Sequence, residues 1–136
     1  STRLMRPYLL KLLHRNSAPN IELEQFAINL GEWELVPLIV NDVIVGTMAE
    51  KDGEIHMAIE PQFRKKSTYW RTGLKLLIEP LIDKYGYVTT KVKSDDQVAR
   101  KFVHRLGFKD YSSLGSITTY AMSEIKHRRK VCQQQL

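Results

Sequence analysis

The stretch VKSDDQVARKFVHRLGF, residues 92–108, decides the fold. Val92 ends a short strand that begins near residue 87. Asp95 or Asp96 then offers a carboxylate to the free N–H groups that open a helix. Val98, Ala99, Phe102, Val103 and Leu106 recur three or four residues apart and make one apolar stripe. Gly107 stops the helix, because glycine accepts the left-handed backbone that ends one. Residues 108–111 and 116–122 follow as a terminal strand pair.

Working back toward the N-terminus, Trp70, Leu74, Leu77, Ile78, Leu81, Ile82 and Tyr85 keep helical spacing up to Gly86. Ser67 or Thr68 can cap this helix. Gly73 and Pro80 lie inside it, and the proline predicts a kink near Leu76. Before Pro61 the period is two. Residues 35–40, 43–50 and 54–60 read as three strands, joined by Asn41-Asp42 and by Lys51-Asp52-Gly53, a strong hairpin signal. Pro37 places the first strand at an edge or a bulge. Residues 7–14 form an amphipathic helix on Leu9, Leu10, Leu12 and Leu13, with Pro7 suited to its first turn. Turn formers fill residues 16–20. Leu23, Phe26, Ala27 and Leu30 then describe a second helix, closed by Gly31. Trp33 and Trp70 are expected as core anchors.

The 136 residues suit one domain, and 43% apolar with 26% charged residues is the balance of an ordinary folded protein. No stretch approaches the roughly 18 apolar residues that span a bilayer, and residues 3–13 are too short and too basic for a signal peptide. A protein made in the cytoplasm is the expectation. The single Cys132 permits no internal disulfide and no cysteine metal site, so no metal is expected. Twenty-one basic against fifteen acidic residues give a net charge of +6. Lys126, Arg128, Arg129 and Lys130 carry much of that excess. The chain therefore divides into a domain over residues 1–124 and a basic, Gln-rich tail over 125–136, the tail suited to an acidic surface or nucleic acid.

The order helix, helix, three strands, helix, strand, helix, two strands resembles the GNAT (Gcn5-related N-acetyltransferase) superfamily, without its customary first strand. Ile59-Glu60-Pro61-Gln62-Phe63-Arg64 is similar to the family's strand exit into its pyrophosphate loop. Asp96-Gln97-Val98-Ala99 with Leu106-Gly107-Phe108 is similar to its closing Asn-x-x-Ala and Leu-Gly-Phe motif. The resemblance implies an α/β (α+β) fold, a mixed, mostly antiparallel twisted sheet of about six strands flanked by four helices.

It also implies where a site would lie. The acetyl-CoA pyrophosphate would be held by Arg64, Lys65, Lys66, Ser67, Thr68, Tyr69 and Arg71, with Asp96 near the cofactor arm. Ser67 and Tyr69 stand where the family carries glycines that let the backbone approach phosphate. Val103 stands where it often carries a tyrosine acid, and Asp96 replaces an asparagine. Glu54, His56 and Glu60 lie on one strand face by alternation and are the candidate catalytic residues, with His56 or Glu60 as the base.

Three departures at the family's functional positions lead to a first reading. The chain is a catalytically degenerate binding or assembly component with no cofactor, similar to GNAT-like virion or head-assembly proteins of tailed bacteriophages. Its expected partners are other proteins of an assembly or further copies of itself, and it would be incorporated in a virion. The alternative is an active acetyl-CoA-dependent N-acetyltransferase with an atypical loop. A third reading is nucleic-acid binding through Lys101, Arg105, Lys109 and the tail.

Overall fold

A computed structural model describes residues 2–123, so the tail cations Lys126, Arg128, Arg129 and Lys130 lie outside the described residues. Five helices and six strands follow in the order α1 (Thr2–Ser17), α2 (Leu23–Leu30), β1 (Glu34–Val40), β2 (Val43–Lys51), β3 (Glu54–Ile59), α3 (Pro61–Arg64), α4 (Ser67–Tyr85), β4 (Val88–Lys93), α5 (Gln97–Leu106), β5 (Lys109–Leu114) and β6 (Ile117–Met122). Hydrogen bonding orders the strands β1-β2-β3-β4-β6-β5. The sheet is mostly antiparallel, with one parallel pairing, of β3 and β4, at Glu54 opposite Thr89. The chain falls into two compact units. Among the described residues, one comprises residues 2–51 with Ile55–Leu74, the other Asp52–Glu54 with residues 75–123.

In the first unit, β1 and β2 turn back on each other through Asn41 and Asp42, both at positive φ (49° and 65°). Asn and Asp tolerate that conformation better than other side chains, and two such residues in succession match the twist of a hairpin. Pro37 lies opposite Thr47 on β1, at the end of the strand order, with a register shift just after it at Leu38/Ile39. Leu9, Leu12 and Leu13 of α1 form a buried cluster with Leu35, Ala49 and Ala58. Each leucine withdrawn from water contributes about 2 kcal/mol. That burial explains why α1 extends from Thr2 through Pro7 instead of starting there: the missing proline hydrogen bond is a smaller loss than the packing gained.

Gly46 on β2 is dictated by close approach. A Cβ there would come within 2.3 Å of the Ala58 carbonyl oxygen and 2.9 Å of Ile59 Cδ1. Trp70, at 3% exposure, is the expected anchor, and its indole N–H donates to the Phe63 carbonyl at 3.1 Å. Trp33 is only half-buried.

In the second unit β6 runs between β4 and β5, antiparallel to both. The Asp96 carboxylate accepts from the Ala99 N–H at 3.1 Å and caps α5. Gly107 ends α5 at φ 110°, and the Phe108 N–H reaches back to the Val103 carbonyl at 3.1 Å. Val103, Leu106, Phe108 and Tyr120 are all buried.

One expectation needs correction. A single-turn helix, α3, precedes the helix expected from Ser67, because Pro61 starts a turn of its own, so the described residues hold five helices, one more than the four expected. Pro80 lies inside α4, which runs from Ser67 to Tyr85.

Candidate functional site

The site is built where β3 leaves the sheet. Glu60 has extended backbone angles (φ −58°, ψ 138°), and the fixed φ of Pro61 starts the turn of α3 directly behind it. The Phe63 N–H bonds to the Glu60 carbonyl at 2.9 Å and the Lys66 N–H to the Phe63 carbonyl at 3.3 Å. The chain then enters α4, with the Tyr69 N–H on the Lys66 carbonyl at 2.8 Å. The residues resembling a glycine-rich loop are thus wound into helical turns. Phe63 and Tyr69 stack at 5.9 Å between ring centroids, and the Tyr69 hydroxyl lies 3.4 Å from the Val40 carbonyl oxygen. These two rings fasten α3 onto the first turn of α4.

Arg64 opens the resemblance to a pyrophosphate loop, and its side chain also braces its own segment. Its Nε donates to the Ile59 carbonyl at 2.9 Å and one terminal nitrogen to Asn16 Oδ1 at 2.9 Å. Lys65 and Lys66 are exposed immediately before α4. Arg71 is half-buried on α4. Two exposed lysines therefore precede the positive end of a 19-residue helix directly, a setting that favours an anion. The structure brings Arg64, Lys65, Lys66 and the Ser67–Arg71 stretch of α4 together in sequence and space.

The three candidate bases have three different settings, and the expectation that all three share one strand face needs correction at Glu60, which lies outside β3. Strand β3 ends at Ile59, with Ala58 and Ile59 both buried, so alternation does not carry through to Glu60. Glu54 pairs with Lys91 at 3.5 Å. His56 places its ring against Trp33, with centroids 5.1 Å apart at a 51° tilt. Arg6 fixes the Trp33 segment by donating to the Trp33 carbonyl at 2.7 Å and to the Gly31 carbonyl at 3.0 Å.

Glu60 is held in a network the sequence did not disclose. Its Oε2 accepts from Arg15 at 2.8 Å and its Oε1 from Asn16 Nδ2 at 2.7 Å. Burial pushes the carboxyl pKa up, but the hydrogen bonds from Arg15 and Asn16, with the charges of Arg15 and Arg64, outweigh it and leave it below the ordinary carboxylate value. A carboxylate so engaged is a poor proton acceptor. Asn16 reads in sequence only as a turn former and Arg15 only as a helix-end cation, so nothing but the fold reveals that they meet Glu60, 44 and 45 residues away.

Val103, at 3% exposure, contributes no proton at its place on α5. Asp96 caps its own helix through the Ala99 N–H. Among the described residues no group of three or more His, Cys, Asp or Glu is placed to hold a metal ion, and no helix is long and apolar enough to cross a membrane.

Solved structures resemble this fold over nearly their whole length. The ribosomal-protein-S18-alanine N-acetyltransferase of Escherichia coli matches with a TM-score of 0.61 at 19% identity, over 85% of each chain. A ribosomal-protein-alanine N-acetyltransferase from Brucella melitensis matches with a TM-score of 0.63 at 14% identity, over 91% of this chain and 97% of that one. A GNAT family acetyltransferase from Elizabethkingia anophelis, solved with acetyl-CoA bound, matches with a TM-score of 0.60 at 12% identity, over 87% and 90%. No protein-family model and no curated protein matches the chain. At these identities the likeness is one of fold, and the fold is that of the GNAT superfamily.

Proposed function

We propose, for a chain with the GNAT fold, that it is an N-acyltransferase that takes acetyl-CoA as acyl donor. The observation that carries the reading is the pair of exposed lysines, Lys65 and Lys66, set at the positive end of α4 directly after the β3 exit. Phosphates are held there by helix-end N–H groups and ammonium charge, without the glycines that would let the backbone come closer. His56 is the one imidazole on β3 and takes the proton from the attacking amine. The amine nitrogen then bonds to the thioester carbonyl carbon as the carbon–sulfur bond breaks. The departing thiolate takes its proton from solvent.

Calorimetric titration of acetyl-CoA into the wild-type chain and into Lys65→Ala/Lys66→Ala tests the reading. Micromolar binding that raises the melting temperature, weakened about ten-fold or more in the double variant, is expected. Absence of heat and of any melting shift at saturating acetyl-CoA overturns it. A second reading, a binding domain that has kept the fold without the transfer, is favoured by buried, apolar Val103. It predicts no release of free CoA thiol with any amine.

A further inference from the structure

Asn16, in the last turn of α1, touches both Glu60 and Arg64 at the β3 exit. Its Nδ2 donates to Glu60 Oε1 at 2.7 Å and to the Leu12 carbonyl at 2.9 Å, while its Oδ1 accepts from Arg64 at 2.9 Å. Arg15 closes the other side of Glu60 at 2.8 Å. The amide's donor and acceptor are thus both used, one on an anion and one on a cation, a combination that neither a carboxylate nor an ammonium provides.

The consequence runs from packing to the site. Glu60 and Arg64 bracket the four-residue turn α3, and Lys65 and Lys66 follow it at once. Whatever fixes both ends of that turn also fixes where the two ammonium groups and the first turn of α4 stand. The Leu9, Leu12 and Leu13 cluster anchors α1 itself in the core, so the amide is presented from a rigid support.

We propose that Asn16 is a positioning residue for the anion-binding start of α4, acting through Glu60 and Arg64 and without touching the ligand. The ligand class is a phosphate-bearing acyl carrier, which rests on the acetyltransferase reading above. In this assignment Arg64 is a brace, and the charge that meets phosphate comes from Lys65 and Lys66.

The test uses a charge-swapped rescue. Asn16→Asp keeps an acceptor for Arg64 but sets a second carboxylate against Glu60. Adding Glu60→Gln restores a donor opposite that carboxylate and leaves an acceptor for Arg15. Two readouts are taken on each protein: amide hydrogen exchange at Lys66 and Tyr69, and affinity for acetyl-CoA. Exchange at those amides about ten-fold faster in Asn16→Asp, returning toward wild type in Asn16→Asp/Glu60→Gln, with acetyl-CoA affinity following the same order, supports the inference. Unchanged exchange in Asn16→Asp overturns it, as does a double variant no better than the single one. If the wild-type chain does not bind acetyl-CoA, the acetyltransferase reading fails and the exchange data alone decide the positioning role. Should Asn16→Asp not fold, Asn16→Leu, of similar volume and without either polar arm, takes its place in the exchange measurement, with the same two outcomes.

Discussion

Arg15 and Glu60 stand 45 residues apart in the chain and meet at 2.8 Å, joining the end of α1 to the exit of β3. Their joint geometry with Asn16 and Arg64 turns two expected site residues into parts of a structural clamp.

That clamp predicts acid sensitivity. The folded Glu60 carboxyl titrates below its ordinary value, so it contributes stability that is present above the unfolded pKa and lost as pH falls through the folded one. Glu60→Gln should lower stability at neutral pH by about 1 kcal/mol, a modest figure because Arg15 is roughly half exposed to screening water. Denaturant melts of both proteins across acid pH should show the difference vanishing below the usual carboxylate range. A constant difference at every pH would remove the ionic contribution.

Gly46→Ala should destabilise by about 2–3 kcal/mol, the upper part of the range for overpacking. The added Cβ would meet the Ala58 carbonyl oxygen at 2.3 Å, and backbone gives way less readily than a side chain. Urea unfolding checks this, and a variant as stable as wild type would mean that β2 and β3 separate without cost.

Gly107→Ala should cost about 1–2 kcal/mol, because φ of 110° is a conformation that residues with a Cβ rarely adopt. Space is not the obstacle, since the nearest atom, Met122 Cε, would lie at an ordinary 3.8 Å. A thermal melt distinguishes this from Gly46→Ala, where space is the whole argument.

His56→Ala should lower kcat for amine acetylation by about a hundred-fold or more while leaving acetyl-CoA affinity unchanged, as loss of a proton acceptor does. Steady-state kinetics with a titration of acetyl-CoA reads both. Equal loss of kcat and of acetyl-CoA affinity would make the His56 ring a packing partner of Trp33 instead.

Much of the fold was legible in the sequence because its signals are local. The Asp96 cap, the Gly107 stop, the two-residue turns at Asn41-Asp42 and Asp52-Gly53 and the period of each strand depend on residues only a few positions apart. Leu9, Leu12 and Leu13 announce a buried face in the same way. The short turn α3 escaped because four residues carry no periodicity, and the length of α1 escaped because packing outweighed a proline.

The site was less legible. Glu54, His56 and Glu60 looked equivalent by alternation, whereas the fold sends them to Lys91, Trp33 and Arg15 respectively. Arg64 looked like an anion ligand, and the fold also engages it with the Ile59 carbonyl and Asn16.

The sequence by itself determined the order of the elements, their caps and turns, and the cations gathered before α4, since composition and short-range sterics settle those. Only the tertiary structure decided how these charges are engaged. Pairing of charge depends on distance in space, and Asn16 and Arg15 reach Glu60 only once the leucines of α1 are buried beside Leu35, Ala49 and Ala58.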